Sequence, residues 1–210
     1  MDNEEQKKGN TEFYIQMAAI LILGILLIYG LGKASPTGGV IGVVSASEII
    51  PTGVPEVYGK ELGIKYDDVS ASNPQLADAT MAKLTKYEDM QLNSAQMERY
   101  VKIGSSIACE YCCGAKTLVF SNGEKACGCA HSYAMRGLAK YLLTKHPEMT
   151  DLEILEELGK WKVLFFPGVH EQKAAILKSQ GIELSYINLA SNKYRGIEQG
   201  QASGEMVGGC

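Results

Sequence analysis

The stretch CEYCCGAKTLVFSNGEKACGCAH, residues 109–131, constrains this chain more than any other, because it holds five of its six cysteines and one of its three histidines. Written as spacing, it is Cys109-x2-Cys112-Cys113, thirteen intervening residues, then Cys127-x-Cys129-x-His131. Asn122-Gly123 lies between two short runs suited to strands, and Asn-Gly is a strong hairpin signal because both residues tolerate positive φ in a type I′ turn. A hairpin returns the chain to its start, so the spacing predicts two ligand clusters delivered to one place.

A Cys-x-x-Cys turn lets two thiolates converge on one ion. The second cluster opens HSYAMRGLAKYLLTKH, which has helical apolar spacing from about His131 to Lys145. Unpaired amides at a helix start favour thiolate over thiol, which prepares Cys127 and Cys129 for a cation. The predicted metal ligands are Cys109, Cys112, Cys127 and Cys129, with Cys113 and His131 as additional candidates. Four ligands suffice for structural zinc, so the surplus pair has to be explained. Cys113 as a small buried hydrophobe with His131 as a helix cap is one account. A thiolate-rich Cu(I) centre with imidazole, and Met135 as a thioether, is another. An iron–sulfur cluster on four of the cysteines is a third, although the spacing follows neither common ferredoxin pattern. Disulfides are a fourth, and by themselves they leave one of the five clustered cysteines odd. Haem attachment is disfavoured, because residue 113 is Cys where Cys-x-x-Cys-His needs His.

Knuckle, hairpin and ligands on the first turn of a helix resemble the treble-clef arrangement of small zinc modules over residues 109–145, with Cys-x-Cys in place of its second Cys-x-x-Cys. Cys127-Gly128-Cys129 followed by His131 also resembles the block of membrane-anchored prokaryotic proteins named for a PCYCGC motif, although the Pro-Cys-Tyr lead-in is missing. That resemblance implies an exported, anchored, metal-binding domain and supplies no substrate.

Residues 13–32, FYIQMAAILILGILLIYGLG, carry no charge. At ~1.5 Å per residue they reach across a ~30 Å hydrocarbon core, so they read as a transmembrane anchor. Lys7 and Lys8 before the span against Lys33 after it place residues 1–12 in the cytoplasm and the remainder outside it. Residues 33–72, rich in Gly, Pro and Ser, read as a stalk. Residues 73–190 read as a helical domain carrying the cysteine module at 109–145, and residues 191–210 as a flexible tail ending in Cys210, a free thiol or an intermolecular crosslink.

Within that domain, Asn73 with Pro74, and Asn93 or Ser94, open two helices. Gly137 weakens the helix after the cysteines by about 1 kcal/mol relative to Ala and permits close packing. Thr150 and Glu153 form a capping box for a helix to about Gly159, KWKVLFFPG covers a core, residues 170–180 are helical, and IELSYINL alternates as a strand. His146 and His170 read as solvated or capping side chains.

The expected class is therefore α+β, mainly α: one N-terminal transmembrane helix, then a small helical domain with a β-hairpin/helix metal module. The formal charge of −4 leaves no basic footprint for nucleic acid. No catalytic constellation stands out. The expected function is membrane-anchored, extracytoplasmic binding of Zn or Cu(I) for structure, storage or delivery, with a protein partner or assembly. A thiol-disulfide or iron–sulfur electron-transfer protein, and a structural subunit of a membrane or surface assembly, are the alternatives.

Overall fold

Short polar side chains that accept a backbone N–H three residues on begin most of the helices. The computed structural model of the chain describes Met17, residues 44–198 and residues 206–209. Asn73 accepts from the Leu76 amide at 3.2 Å and starts α3 (Pro74–Thr85), after the single-turn helices α1 (Ala46–Ile49) and α2 (Gly59–Leu62). Asn93 accepts from Gln96 at 2.9 Å and starts α4 (Ser94–Ser105). Cys129 caps α5 (Ala130–Lys145). Thr150 and Glu153 close a reciprocal capping box on α6 (Asp151–Phe165). Pro167, whose missing N–H costs nothing at a helix start, opens α7 (Pro167–Ser179). Ser185 caps α8 (Tyr186–Ala190).

The long helix α5 forms the centre and packs on α3, α4 and α6. Ala134, Met135, Leu138, Ala139 and Leu142 are all buried on it, so Met135 is a core residue. Gly137 sets the approach of α5 to α3: an added Cβ would overlap the Leu84 carbonyl oxygen. In the same crossing Arg136, fully buried, pairs through Nε with Glu88 Oε1 at 2.7 Å.

The expected α+β class is corrected: among the described residues there is no strand. At the expected hairpin the chain does turn, with the Gly123 N–H donating to Phe120 O at 2.9 Å, but only one isolated bridge, Val119 with Lys125, follows from it. Gly123 takes φ +84° while Asn122 does not enter the positive-φ region, so the type I′ turn is not formed. Instead the Asn122 side chain accepts the Glu124 N–H at 3.0 Å. Neighbouring Leu118 and Val119 are both buried, which breaks the alternation a ladder needs, and Arg136 Nη1 takes the Cys127 carbonyl at 2.8 Å. The strand expected at IELSYINL is corrected too. Its second half is α8, because the Ser185 cap fixes a helix start there. KWKVLFFPG, expected to cover a core, is the end of α6 and the start of α7, with Trp161, Phe165 and Phe166 buried.

The transmembrane part of the expectation receives no support, since no helix among the described residues is long and apolar enough to cross a membrane. Apart from Met17, residues 13–32 lie outside the described residues, as does Cys210. The expected stalk is corrected over residues 44–72. Ile49, Tyr58, Ile64, Tyr66 and Val69 are buried in the core. Trp161 Nε1 donates to Tyr58 Oη at 2.6 Å, and the Tyr58 and Tyr66 hydroxyls both donate to Glu157. The described parts of the expected tail pack as well: Glu198 and Val207 are buried, and the Val207 N–H donates to Phe165 O at 2.9 Å.

Candidate metal centre

Five of the six candidate ligands fall into two sets. Cys109, Cys129 and His131 each offer an atom, and all three atoms lie within 4.8 Å of one another. Cys113 and Cys127 form a disulfide, and their sulfurs lie within 4.8 Å of Cys129 as well. Cys129 is the member common to both sets. Cys112 is half-buried against the core beside them and falls in neither set. Cys109 is brought in by the turn after α4, and Cys129 and His131 by the first turn of α5.

Cys129 and Cys109 share a hydrogen bond between sulfurs at 3.4 Å. Cys129 also accepts from the Ser132 backbone N–H at 3.4 Å, the position a helix cap occupies. The shared bond with Cys109 holds the Cys129 thiol far below its ordinary range against the opposing effect of burial, with the Ser132 contacts adding to it. The same bond, followed by burial, pushes Cys109 well above that range. The shared bond thus favours the proton on Cys109 and the thiolate on Cys129.

His131 is fully buried, with the rings of Phe165 and Phe166 tilted against it at centroid distances of 4.7 and 5.0 Å. Its Nε2 lies 3.0 Å from the Val207 carbonyl, which can only accept, so Nε2 carries the hydrogen. In the neutral ring that leaves the lone pair on Nδ1, a buried atom with no hydrogen-bond partner. A carbonyl that fixes the tautomer and leaves the other nitrogen bare is the usual support of a metal-binding histidine. Gly209 lies flat on the same ring: a Cβ there would come within 2.5 Å of His131 Cε1. One buried and one half-buried cysteine sulfur with a buried, unpartnered imidazole nitrogen thus fit a metal ion, and these Cys and His groups could hold one.

Glu110, next to Cys109, adopts φ +60°, the left-handed region that a non-glycine residue enters at a cost. This conformation accompanies a buried polar layer under the sulfurs. Glu110 Oε2 accepts from Lys162 Nζ at 2.7 Å, Lys162 also donates to Ala190 O at 2.9 Å, and Tyr111 Oη donates to Glu198 at 2.8 Å. Lys173 Nζ is buried nearby without a partner, and burial lowers its pKa to about 8.

Sequence reasoning missed Val207 and Gly209 as supports, since a carbonyl contact across 76 positions has no local pattern. It also missed Arg136, whose only signal is a cation among apolar residues on one helix. His146 and His170 stay outside the centre. His146 lies 3.2 Å from Glu61, and His170 Nδ1 bonds Phe166 O at 2.7 Å one turn back in its own helix.

No protein-family model matches this chain, and no curated protein or solved structure matches it either. The site and the helical fold of the described residues are therefore the grounds for any functional reading.

Proposed function

We propose that the chain is a metal-binding protein in which Cys109, Cys129 and His131 hold one soft ion, Zn2+ or Cu+, in an exchangeable rather than a purely structural site. The observation that carries this is the convergence of two sulfurs and a ring nitrogen within 4.8 Å, with His131 Nδ1 buried and unpartnered. Structural zinc is closed by four protein ligands, whereas three leave a position through which an ion can be handed over. Two thiolates with an imidazole suit Zn2+ and Cu+ alike. On binding, Cys109 gives up its proton, the Phe165 and Phe166 rings exclude water, and Val207 holds the imidazole in register.

A four-thiolate iron–sulfur cluster fits less well, because Cys113 and Cys127 are joined to each other. Their bond supports a location outside the reducing cytoplasm, where disulfides persist. The test is titration of the metal-free, full-length chain with Zn2+ and with Cu+ against a chromogenic chelator. One ion per chain is expected, with loss of binding in Cys109→Ser, Cys129→Ser and His131→Ala. Unchanged binding in all three variants overturns the assignment.

A further inference from the structure

We infer that the Cys113–Cys127 disulfide is one of two positions of a single mobile disulfide, the other being Cys109–Cys129, with Cys129 as the sulfur that moves it. This builds on the proposed metal site, because the second position consumes both of its thiolate ligands.

The geometry is a relay. Cys129 Sγ lies within 4.8 Å of both sulfurs of the Cys113–Cys127 bond on one side and 3.4 Å from Cys109 Sγ on the other. Thiol-disulfide exchange proceeds when a thiolate attacks one sulfur of a disulfide and expels the other. In the first step Cys129 attacks Cys127, the Cys127–Cys129 bond forms, the Cys113–Cys127 bond breaks, and Cys113 leaves as a thiolate. Cys113 is exposed, so the departing charge is hydrated. In the second step the Cys109 sulfur attacks Cys129, the Cys109–Cys129 bond forms, and the Cys127–Cys129 bond breaks. The proton given up by Cys109 passes to Cys127.

Among Cys109, Cys113, Cys127 and Cys129, one disulfide and two reduced sulfurs are present before and after, so no external oxidant or reductant enters. The end states differ in what they hold. With Cys113–Cys127 bonded, Cys109, Cys129 and His131 are available to an ion; with Cys109–Cys129 bonded, His131 is left as the sole ligand of that set. A bound ion in turn occupies Cys129 and stops the relay. Exposed Cys113 is where an outside thiol or disulfide would gain access to the pair.

The experiment uses the full-length chain, metal-free, at low concentration and without reductant. After equilibration it is quenched in acid, its thiols are alkylated, and tandem mass spectrometry identifies which cysteines were blocked. A measurable fraction of molecules with Cys113 and Cys127 alkylated together, and Cys109 and Cys129 protected, is expected. Excess Zn2+ should lower that fraction at least tenfold. Cys129→Ser keeps a good helix cap for α5 and should abolish it, leaving Cys113–Cys127 as the sole linkage of the block. Protection that never moves from Cys113 and Cys127, or that moves to Cys112, overturns the exchange. Zn2+ bound one to one in a chain whose disulfide never moves overturns the exchange alone and leaves the metal site intact. Exchange in a chain that binds no metal sustains the relay and removes the metal reading.

Discussion

The sulfur of Cys129 lies 3.4 Å from that of Cys109, and this contact divides the charge of the site unequally between them. Replacing Cys109 by Ala removes the main cause of the low Cys129 pKa, so that pKa should rise. Alkylation of Cys129 by iodoacetamide at pH 5 should slow, by about tenfold once the pKa stands one unit above that pH. The readout is the site-specific rate by mass spectrometry. An unchanged rate would show that the Ser132 and helix-terminus contacts suffice alone.

Lys173 supplies the pH dependence. Its pKa is about 8 in the folded chain against 10.5 ordinarily, with burial as the main cause and Lys162 the next. A cation with a depressed folded pKa binds fewer protons when folded, so its burial costs stability in full below pH 8, and the cost disappears as pH rises towards 10.5. Lys173→Met should therefore be more stable than the parent at pH 7, by at most about 3 kcal/mol at ~1.4 kcal/mol per pH unit. Urea melts at pH 7 and pH 10 should show that advantage shrinking. An advantage that grows with pH would contradict the assignment.

The ion pair of Glu110 and Lys162 behaves differently, because each compensates the other. Glu110→Gln leaves the Lys162 ammonium buried with only Ala190 O and should cost about 3–5 kcal/mol. The double variant Glu110→Gln with Lys162→Met should recover most of that loss. Equal unfolding free energies for the single and double variants would show that the pair is not coupled.

Gly137→Ala tests the crossing that carries Cys129 and His131. Ala is the better helix former by about 1 kcal/mol, yet its Cβ would meet the Leu84 carbonyl, and overpacking costs about 1–3 kcal/mol. Net destabilisation is expected in thermal melts, together with weaker Zn2+ binding, because α5 must shift away from α3. A stabilised variant would show that the two helices part freely.

Gly209→Ala probes the cover on His131. The added Cβ falls on the imidazole, and φ +83° is unfavourable for Ala. Zn2+ affinity should fall roughly tenfold or more, as for loss of other outer-shell support. Unchanged affinity would show that the Val207 carbonyl alone sets the ring.

The sequence by itself determined what rests on neighbours in the chain. Asn73, Asn93 and Thr150 each cap a helix through a bond three residues long. The helix after the cysteine block and the Gly137 contact were legible for the same reason, as was the idea that Cys109 and Cys129 could meet.

Tertiary structure decided the rest. Asn122-Gly123 was read as a hairpin because the signal is local, but burial of both Leu118 and Val119 overrode the strand period, and Arg136 took the Cys127 carbonyl. Likewise Tyr58 and Tyr66 looked like stalk residues until Trp161 and Glu157, about a hundred positions away, gave them buried partners. The two sets of cysteines followed the same rule. Spacing nominates Cys109, Cys112, Cys127 and Cys129 with Cys113 and His131 as additions, whereas distance in space joins Cys113 to Cys127 and leaves Cys109, Cys129 and His131 facing one another. Metal coordination and disulfide geometry act over a few ångströms, and only the packing of α5 against α3, α4 and α6 fixes which groups lie within that reach.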